Sequence, residues 1–230
     1  MTKGVRLFRL AAAFLFATYN LMPLYGLWAW HWDAFQLLIM YWTETLILAF
    51  WTLVRLDLVP TEYLGVIMVN GRPVKATHSQ LIAFFTVHAG IFMAVHLFFL
   101  CVMFSDGWFR RRHGLGDFLM TFYVTSGAWI PLSLATLGSG MEALTGVFRP
   151  QFMQAIERRL DPDESLVPQA PSVSKNMVGQ IVAALYGRII MMQIAIIGGA
   201  WLARDWHSLG PILILIGLKT LFDFGSRLPI

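Results

Sequence analysis

Residues 80–104 read QLIAFFTVHAGIFMAVHLFFLCVMF, a run of apolar side chains that contains no Asp, Glu, Lys or Arg. A helix needs about 20 such residues to cross the hydrocarbon core of a bilayer, because each residue adds about 1.5 Å of rise. Apolar runs of similar length recur along the chain. This stretch therefore predicts a transmembrane helix, and its repetition predicts a multi-pass membrane protein.

The composition of the whole chain agrees with this prediction. Hydrophobic residues make up 57% of the 230 residues and charged residues 13%, and the mean hydropathy is +0.64. An ordinary soluble domain has about a quarter of its residues charged, so these values exclude that class. The single cysteine, Cys101, excludes an intrachain disulfide and a multi-cysteine metal site.

We predict an all-α fold, a polytopic transmembrane helix bundle that forms one membrane domain over residues 1–230. The six predicted spans cover residues 5–28, 34–56, 80–104, 118–138, 178–203 and 209–227. The first apolar run continues through Trp28 without a clear cleavage site, which favours an uncleaved span over a signal peptide.

The distribution of basic residues predicts the orientation of this bundle. Six spans place both termini on one side, where the connections and termini carry eleven Lys and Arg residues, against four on the other side. The positive-inside rule then predicts cytoplasmic termini in a bacterial inner membrane. The run Arg110–Arg112 is unusual for a short outer loop and indicates either a re-entrant segment or a specific polar partner.

The net charge is +4, and the basic residues flank the apolar runs. Their placement is explained by membrane topology, and we predict no nucleic-acid binding. The lipid bilayer is the predicted partner, and a membrane-protein partner or a homo-oligomer is compatible with the sequence.

Two connections carry readable patterns. In the loop over residues 57–78, Asn70-Gly71 follows an apolar run and predicts a small cytoplasmic β-hairpin. Pro73 in the second arm leaves the alternative of an irregular loop against the membrane surface. Over residues 139–177, apolar positions recur at helical spacing as far as Leu160, which predicts an interfacial amphipathic helix broken near Pro150. The proline-rich segment Asp161–Ser174 then predicts a flexible linker.

Ionisable residues at membrane depth are the candidate functional residues. Placing such a side chain inside a bilayer costs on the order of several kcal/mol unless it is paired or hydrated. From the rise per residue, Glu44, His88, Arg188 and Lys219 fall near the midplane. The two carboxylates, Glu44 and Asp223, and the two cations at similar depth predict a neutral, paired cluster. Such a cluster serves either as a polar staple between helices or as a proton relay or head-group site. The candidate cluster comprises Tyr41, Glu44, His88, His96, Arg188, Lys219 and Asp223.

The two histidines are eight residues apart, so a straight helix separates them by about 12 Å of rise and about 80° of rotation. One ion cannot bind both side chains. We therefore predict no metal site built from this pair, and the sequence identifies no cofactor. A metal or haem ligated by one of them with partners from other spans is the alternative.

Four short blocks carry a resemblance to a known family. They are Tyr41-Trp42-Thr43-Glu44, the segment from Phe84 through His88 to His96, Tyr186-Gly187-Arg188-Ile189, and Lys219-Thr220-Leu221-Phe222-Asp223. In this order they resemble the signature blocks of DUF6498, a family of uncharacterised bacterial integral membrane proteins. The resemblance marks Tyr41, Trp42, Glu44, His88, His96, Arg188, Lys219 and Asp223 as motif positions.

The chain departs from the family pattern at three positions. Thr45 stands where the family commonly has Asn, and Gln193 and Arg227 stand where histidines are expected. The loss of these histidines argues further against a metal site, whereas the charged residues are retained.

Two classes of function are consistent with the sequence. We predict a structural or accessory membrane subunit held together by its polar cluster. The alternative is a membrane-embedded enzyme or carrier that acts on a lipid, a quinone or another apolar small molecule through Glu44 and His88. The sequence contains no Ser-His triad, phosphate loop or dinucleotide fingerprint, and it decides neither for nor against an enzymatic activity.

Overall fold

The computed structural model describes residues 3–61, 64–69, 71–105, 107–108, 114–141, 143, 177–205, 216–217 and 219–220. Most of these residues are helical. The helices are α1 (Lys3–Ala29), α2 (Ala34–Asp57), α3 (His78–Phe104), α4 (Leu115–Thr125), α5 (Trp129–Met141) and α6 (Met177–Asp205). Two strands, β1 (Val66–Val69) and β2 (Arg72–Lys75), lie between α2 and α3. Residues 216–217 and 219–220 are also helical.

The first residues of α2 and α3 explain where these two helices begin. The Asp33 carboxylate accepts a hydrogen bond from the Gln36 backbone N–H at 2.7 Å, which caps α2. Thr77 and Gln80 form a capping box at the start of α3, each accepting from the other's backbone N–H. The caps satisfy donors that a helix would otherwise leave without partners at its first turn.

Helix α2 is the central element of the described structure. It packs against both α3 and α6, which also contact each other. In its most apolar stretch 44% of the residues are buried, against 22% for α3. Helix α3 is therefore an outer helix of the described structure, with apolar side chains on its exposed surface, and α2 is an inner one.

Within the described residues, two helices, α2 and α3, are long and apolar enough to cross a membrane, and a third span results if α4 and α5 count as one bent unit. Helices α1 and α6 have 27 and 29 residues, but the side chains along part of each lie outside the described residues, as does most of residues 209–227. The structure therefore does not support the predicted number of six spans.

The predicted fourth span, residues 118–138, is not one straight helix. Helices α4 and α5 meet at 81°, because the chain turns at Ser126-Gly127, where Gly127 has a φ of 76°. Such a backbone angle is open to glycine and strained for residues with a Cβ. Single-sequence hydropathy missed this break because these residues lie inside a continuous apolar run.

The second half of α4, Met120–Thr125, is π-helical, and this register presents backbone carbonyls to its neighbours. The Phe122 carbonyl accepts hydrogen bonds from Gln36 Nε2 at 2.7 Å and from the Ser126 hydroxyl at 2.7 Å. Trp32 Nε1 donates to the Ser126 carbonyl at 2.9 Å. Side chains at the start of α2 thus satisfy the backbone groups that the bend exposes.

The β-hairpin is present at the position that Asn70-Gly71 predicted. Strands β1 and β2 pair antiparallel, with Met68 opposite Pro73 and Val69 opposite Arg72. The Ala76 N–H donates to the Gly65 carbonyl at 3.1 Å, so hydrogen-bonded pairs alternate from that end and Pro73 occupies a non-hydrogen-bonded position. A proline there costs no ladder bond, which removes the objection that this residue raised.

Residues 144–176, which include most of the predicted amphipathic helix and the whole predicted linker, lie outside the described residues, as does the Arg110–Arg112 loop. The predictions made for them stay predictions.

Candidate charged site

The candidate site is centred on Glu44, in the middle of α2. Its side chain is 2% exposed, and its Oε1 atom forms an ion pair with the Arg188 guanidinium of α6. The other carboxylate oxygen, Oε2, lies 3.4 Å from Lys219 Nζ. The sequence predicted a paired cluster that includes Glu44, Arg188 and Lys219, and the structure shows Glu44 in contact with both cations.

Helix α1 supplies two further partners of these cations. Lys219 Nζ donates to Asn20 Oδ1 at 2.9 Å and to the Tyr19 hydroxyl at 3.1 Å. Arg188 donates to the same hydroxyl at 3.3 Å. Both α1 residues are buried, at 8% exposure for Tyr19 and 2% for Asn20, so they belong to the interior of the site.

Sequence reasoning did not assign Tyr19 and Asn20 to the cluster, although one signal was available. A phenol and an amide follow each other inside an apolar helix, one turn before Pro23. Because proline lacks an N–H, the carbonyl four residues earlier loses its helical donor, and polar contacts concentrate around such a turn.

Two aromatic faces line the lysine. The ammonium of Lys219 lies 4.3 Å from the centre of the Tyr19 ring and 5.3 Å from that of Tyr41. The negative face of a phenol ring attracts a cation, and the attraction increases where water is excluded. Tyr41, a member of the predicted cluster, thus contacts this lysine through its ring.

The electrostatics of the cluster follow from these contacts. Among the described residues, one carboxylate contacts two permanent cations, and an amide and a phenol add neutral acceptors. Removing charges from water is costly, and ion pairing with additional hydrogen bonds offsets that cost. Asp223, the second carboxylate of the predicted cluster, lies outside the described residues, so its membership of the cluster stays a prediction.

The neighbours of Glu44 on α2 tie this helix to others. Trp42 Nε1 donates to the Met93 carbonyl of α3 at 2.8 Å. The Thr45 hydroxyl donates to the Tyr41 carbonyl at 2.9 Å and lies 3.9 Å from the Met192 sulfur of α6. Successive residues of α2 therefore contact different helices, as expected for a central helix.

His88 belongs to a different set of contacts. Its Nδ1 atom forms a short hydrogen bond with the Tyr186 hydroxyl, and its ring stacks on Phe84 with centroids 5.5 Å apart. Tyr186 and Arg188 are two residues apart on α6, and residues at this spacing do not share a helix face. The hydrogen bond of His88 therefore lies on another face of α6 than the ion pair of Glu44.

His96 is buried, with 3% exposure. Its Nδ1 atom lies 2.6 Å from the Phe92 carbonyl, and since a carbonyl only accepts, Nδ1 carries the proton. In the described part of the chain, the buried Nε2 atom has no hydrogen-bond partner. The two histidines thus have separate surroundings, and no group of three or more His, Cys, Asp or Glu residues is placed to hold a metal ion among the residues described.

Comparison with known proteins adds the family. No curated protein and no solved structure matches the chain. The chain does match a family of unknown function over residues 3–229, nearly its whole length, and this is the family that the four sequence blocks resemble. The chain therefore belongs to DUF6498.

Proposed function

We propose that this protein is a structural or accessory membrane subunit of the bacterial inner membrane, and that its charged cluster is a polar staple between helices. One observation carries the proposal: Glu44, on the central helix, contacts cations from α6 and from the last described segment. The same cations bond to α1. Four segments distant in sequence are thereby tied together at one buried point.

The geometry favours a staple over a reaction centre. A catalytic carboxylate needs access to a substrate or to water, whereas Glu44 is 2% exposed and has a cation at each oxygen. Within a bilayer, buried polar groups also fix which helices meet, because few other partners are available there. The outward apolar side chains of α3 fit either lipid or a helix of a membrane-protein partner, including a second copy of the chain.

We also propose the orientation. With α1, α6 and residues 209–227 as further spans, six crossings place both termini in the cytoplasm, supported by the excess of basic residues on that side. Reporter fusions at both termini and within residues 161–174 should all give a cytoplasmic signal. A periplasmic signal from the linker fusion would contradict the six-span topology and leave the staple proposal unaffected.

The second candidate function is a membrane-embedded enzyme or carrier for a lipid, quinone or other apolar molecule. The observation in its favour is the surface around His88, which is half-buried between Phe84 and Phe92. Those rings are 58% and 44% exposed, so an apolar molecule in the bilayer could reach the imidazole.

Water access distinguishes the two candidates. We expect a cysteine placed at Asn20, in a Cys101→Ser background, to resist a water-soluble methanethiosulfonate reagent in intact vesicles, because a staple is dry. A cysteine at the 72% exposed Leu115 is a control for reagent activity if it lies outside the hydrocarbon core. Rapid labelling at Asn20 from either side would show a hydrated path to Glu44 and favour the enzyme or carrier.

A further inference from the structure

The β-hairpin between α2 and α3 contacts the small core beside it through Ile67, on one of its two faces, and the other face is exposed. Because side chains alternate across a strand and directly paired residues share a face, Val66, Met68, Pro73 and Lys75 lie together on one side. We call this set the hairpin face. All four residues are exposed, Val66 at 62% and Met68 at 68%.

The opposite side of the hairpin fixes its orientation. Ile67, which alternates with the residues of the hairpin face, packs against a small core of Val59, Leu64, Ala76 and Leu81. This core joins the end of α2 to the start of α3, and residues from the start of α6 pack on it as well. A two-stranded hairpin is marginal alone, so this contact holds it in place with the hairpin face turned away from the core.

The hairpin is also held close to the ends of two helices. Ala76 and Thr77 alone separate Lys75 from the first residue of α3, which limits the distance to about 10 Å. His78 Nε2 is 2.7 Å from the Val59 carbonyl and connects α3 to the segment after α2. If α2 and α3 cross the bilayer, the hairpin lies at the membrane surface.

The chemistry of the hairpin matches a negatively charged membrane surface. Residues 64–76 include Arg72 and Lys75 and no Asp or Glu, and both basic side chains are exposed. Apolar side chains with adjacent basic residues bind the head-group region of bilayers that contain anionic lipids, and each basic residue near such a surface is attracted to it. The Lys75 stem can lie along the apolar face while its ammonium reaches the phosphates.

From these observations we propose that the hairpin face binds anionic lipid head groups, with Val66 and Met68 inserted at the interface and Lys75 against the phosphates. Arg72 lies on the other side of the hairpin, beside the turn, and its exposed charge adds to the attraction of the hairpin to the surface. The proposal rests on the membrane placement proposed above. It goes beyond the polar staple, because it assigns a binding surface to a part of the chain that does not contact Glu44.

The test uses single cysteines labelled with bimane in a Cys101→Ser background. One probe replaces Met68 on the hairpin face, and a second replaces Val74, which lies on the opposite side of the hairpin. A third replaces Val95, an exposed residue in the middle of α3. The protein is reconstituted into vesicles of phosphatidylcholine with or without phosphatidylglycerol, and quenching is compared between head-group nitroxide lipids, acyl-chain nitroxide lipids and aqueous acrylamide.

We expect the Met68 probe to be quenched by the head-group nitroxide and shielded from acrylamide, more strongly with phosphatidylglycerol present, whereas the Val74 probe is little affected by nitroxide lipids. Replacing Arg72 and Lys75 by Gln should also make the Met68 probe more accessible on anionic vesicles. We expect the ratio of acrylamide-accessible to lipid-shielded probe to rise by about fivefold for each charge removed.

Three results would overturn the proposal. A Met68 probe open to acrylamide and unaffected by lipid quenchers would place the hairpin face in water. Shielding from both kinds of quencher would show that protein covers it, either a partner or a second copy. If the Arg72→Gln/Lys75→Gln variant leaves the shielding of the Met68 probe unchanged, the attraction of these two residues to anionic head groups is excluded. Absence of acyl-chain quenching at Val95 would instead contradict the membrane placement of α3, and with it the proposed function.

Discussion

Replacing Glu44 by Gln should lower the free energy of unfolding by about 3–5 kcal/mol, the range found when one partner of a buried ion pair is removed. The substitution keeps the shape of the side chain but leaves Arg188 and Lys219 without the carboxylate that each contacts. The measurement is reversible unfolding in mixed detergent micelles, followed by circular dichroism.

Thr52→Val is the matched control for this prediction. Thr52 lies on the same helix and is also buried, and its hydroxyl donates to the Leu48 carbonyl of its own helix at 2.8 Å. Its replacement removes a polar atom but takes no charged partner away from a cation. We therefore expect the free energy of unfolding to change by about 1 kcal/mol or less. A Glu44→Gln variant as stable as Thr52→Val would contradict the ion-pair account.

A double-mutant cycle tests whether Glu44 and Arg188 act as one unit. If they do, Glu44→Gln combined with Arg188→Gln should be no less stable than the weaker of the single variants, because the second substitution removes a charge that the first has left unpaired. Strict additivity of the two single effects would show that the pair does not contribute as a pair.

Gly26→Ala should destabilise the protein by about 1–3 kcal/mol through overpacking. A Cβ on Gly26 would lie 2.4 Å from Trp32 Cε3, and the Trp32 ring is 5% exposed. The ring cannot move aside without weakening the hydrogen bond from its Nε1 to the Ser126 carbonyl, which holds the bend between α4 and α5.

Gly90→Ala provides the comparison, since Gly90 is also helical and a Cβ there meets nothing within 4 Å. This variant should be neutral or more stable by up to about 1 kcal/mol, because alanine favours helix. The same substitution thus has opposite expected signs at two sites, and the same unfolding measurement reads both. Trp32→Phe should partly restore the stability lost in Gly26→Ala. A Gly26→Ala variant as stable as the unchanged protein would contradict the position of the Trp32 ring against Gly26.

The sequence predicted α2 and α3 nearly to the residue, because in these helices the length of the apolar run is itself the structural signal. It also predicted a paired cluster around Glu44, because a carboxylate and cations at the same depth of a bilayer have few other groups to pair with. The hairpin was predicted because Asn70-Gly71 favours the backbone angles of a tight turn.

The sequence could not show how helices are arranged around one another. The contribution of α1 to the site depends on rotation of that helix toward Lys219, which neither depth nor hydropathy encodes. The separation of His88 from Glu44 depends on which faces α6 turns toward α2 and α3. The bend at Ser126-Gly127 depends on tertiary partners, Gln36 and Trp32, that lie about 90 residues away in the sequence.

This bend has a consequence for the order in which the protein assembles. At about 1.5 Å per residue, α4 is about 16 Å long and α5 about 20 Å, so neither half alone crosses a hydrocarbon core of about 30 Å. The carbonyls at the turn would be intolerable against lipid until Gln36 and Trp32 reach them. On the membrane placement proposed above, we therefore expect the start of α2 to be in place before α4 and α5 pack against it.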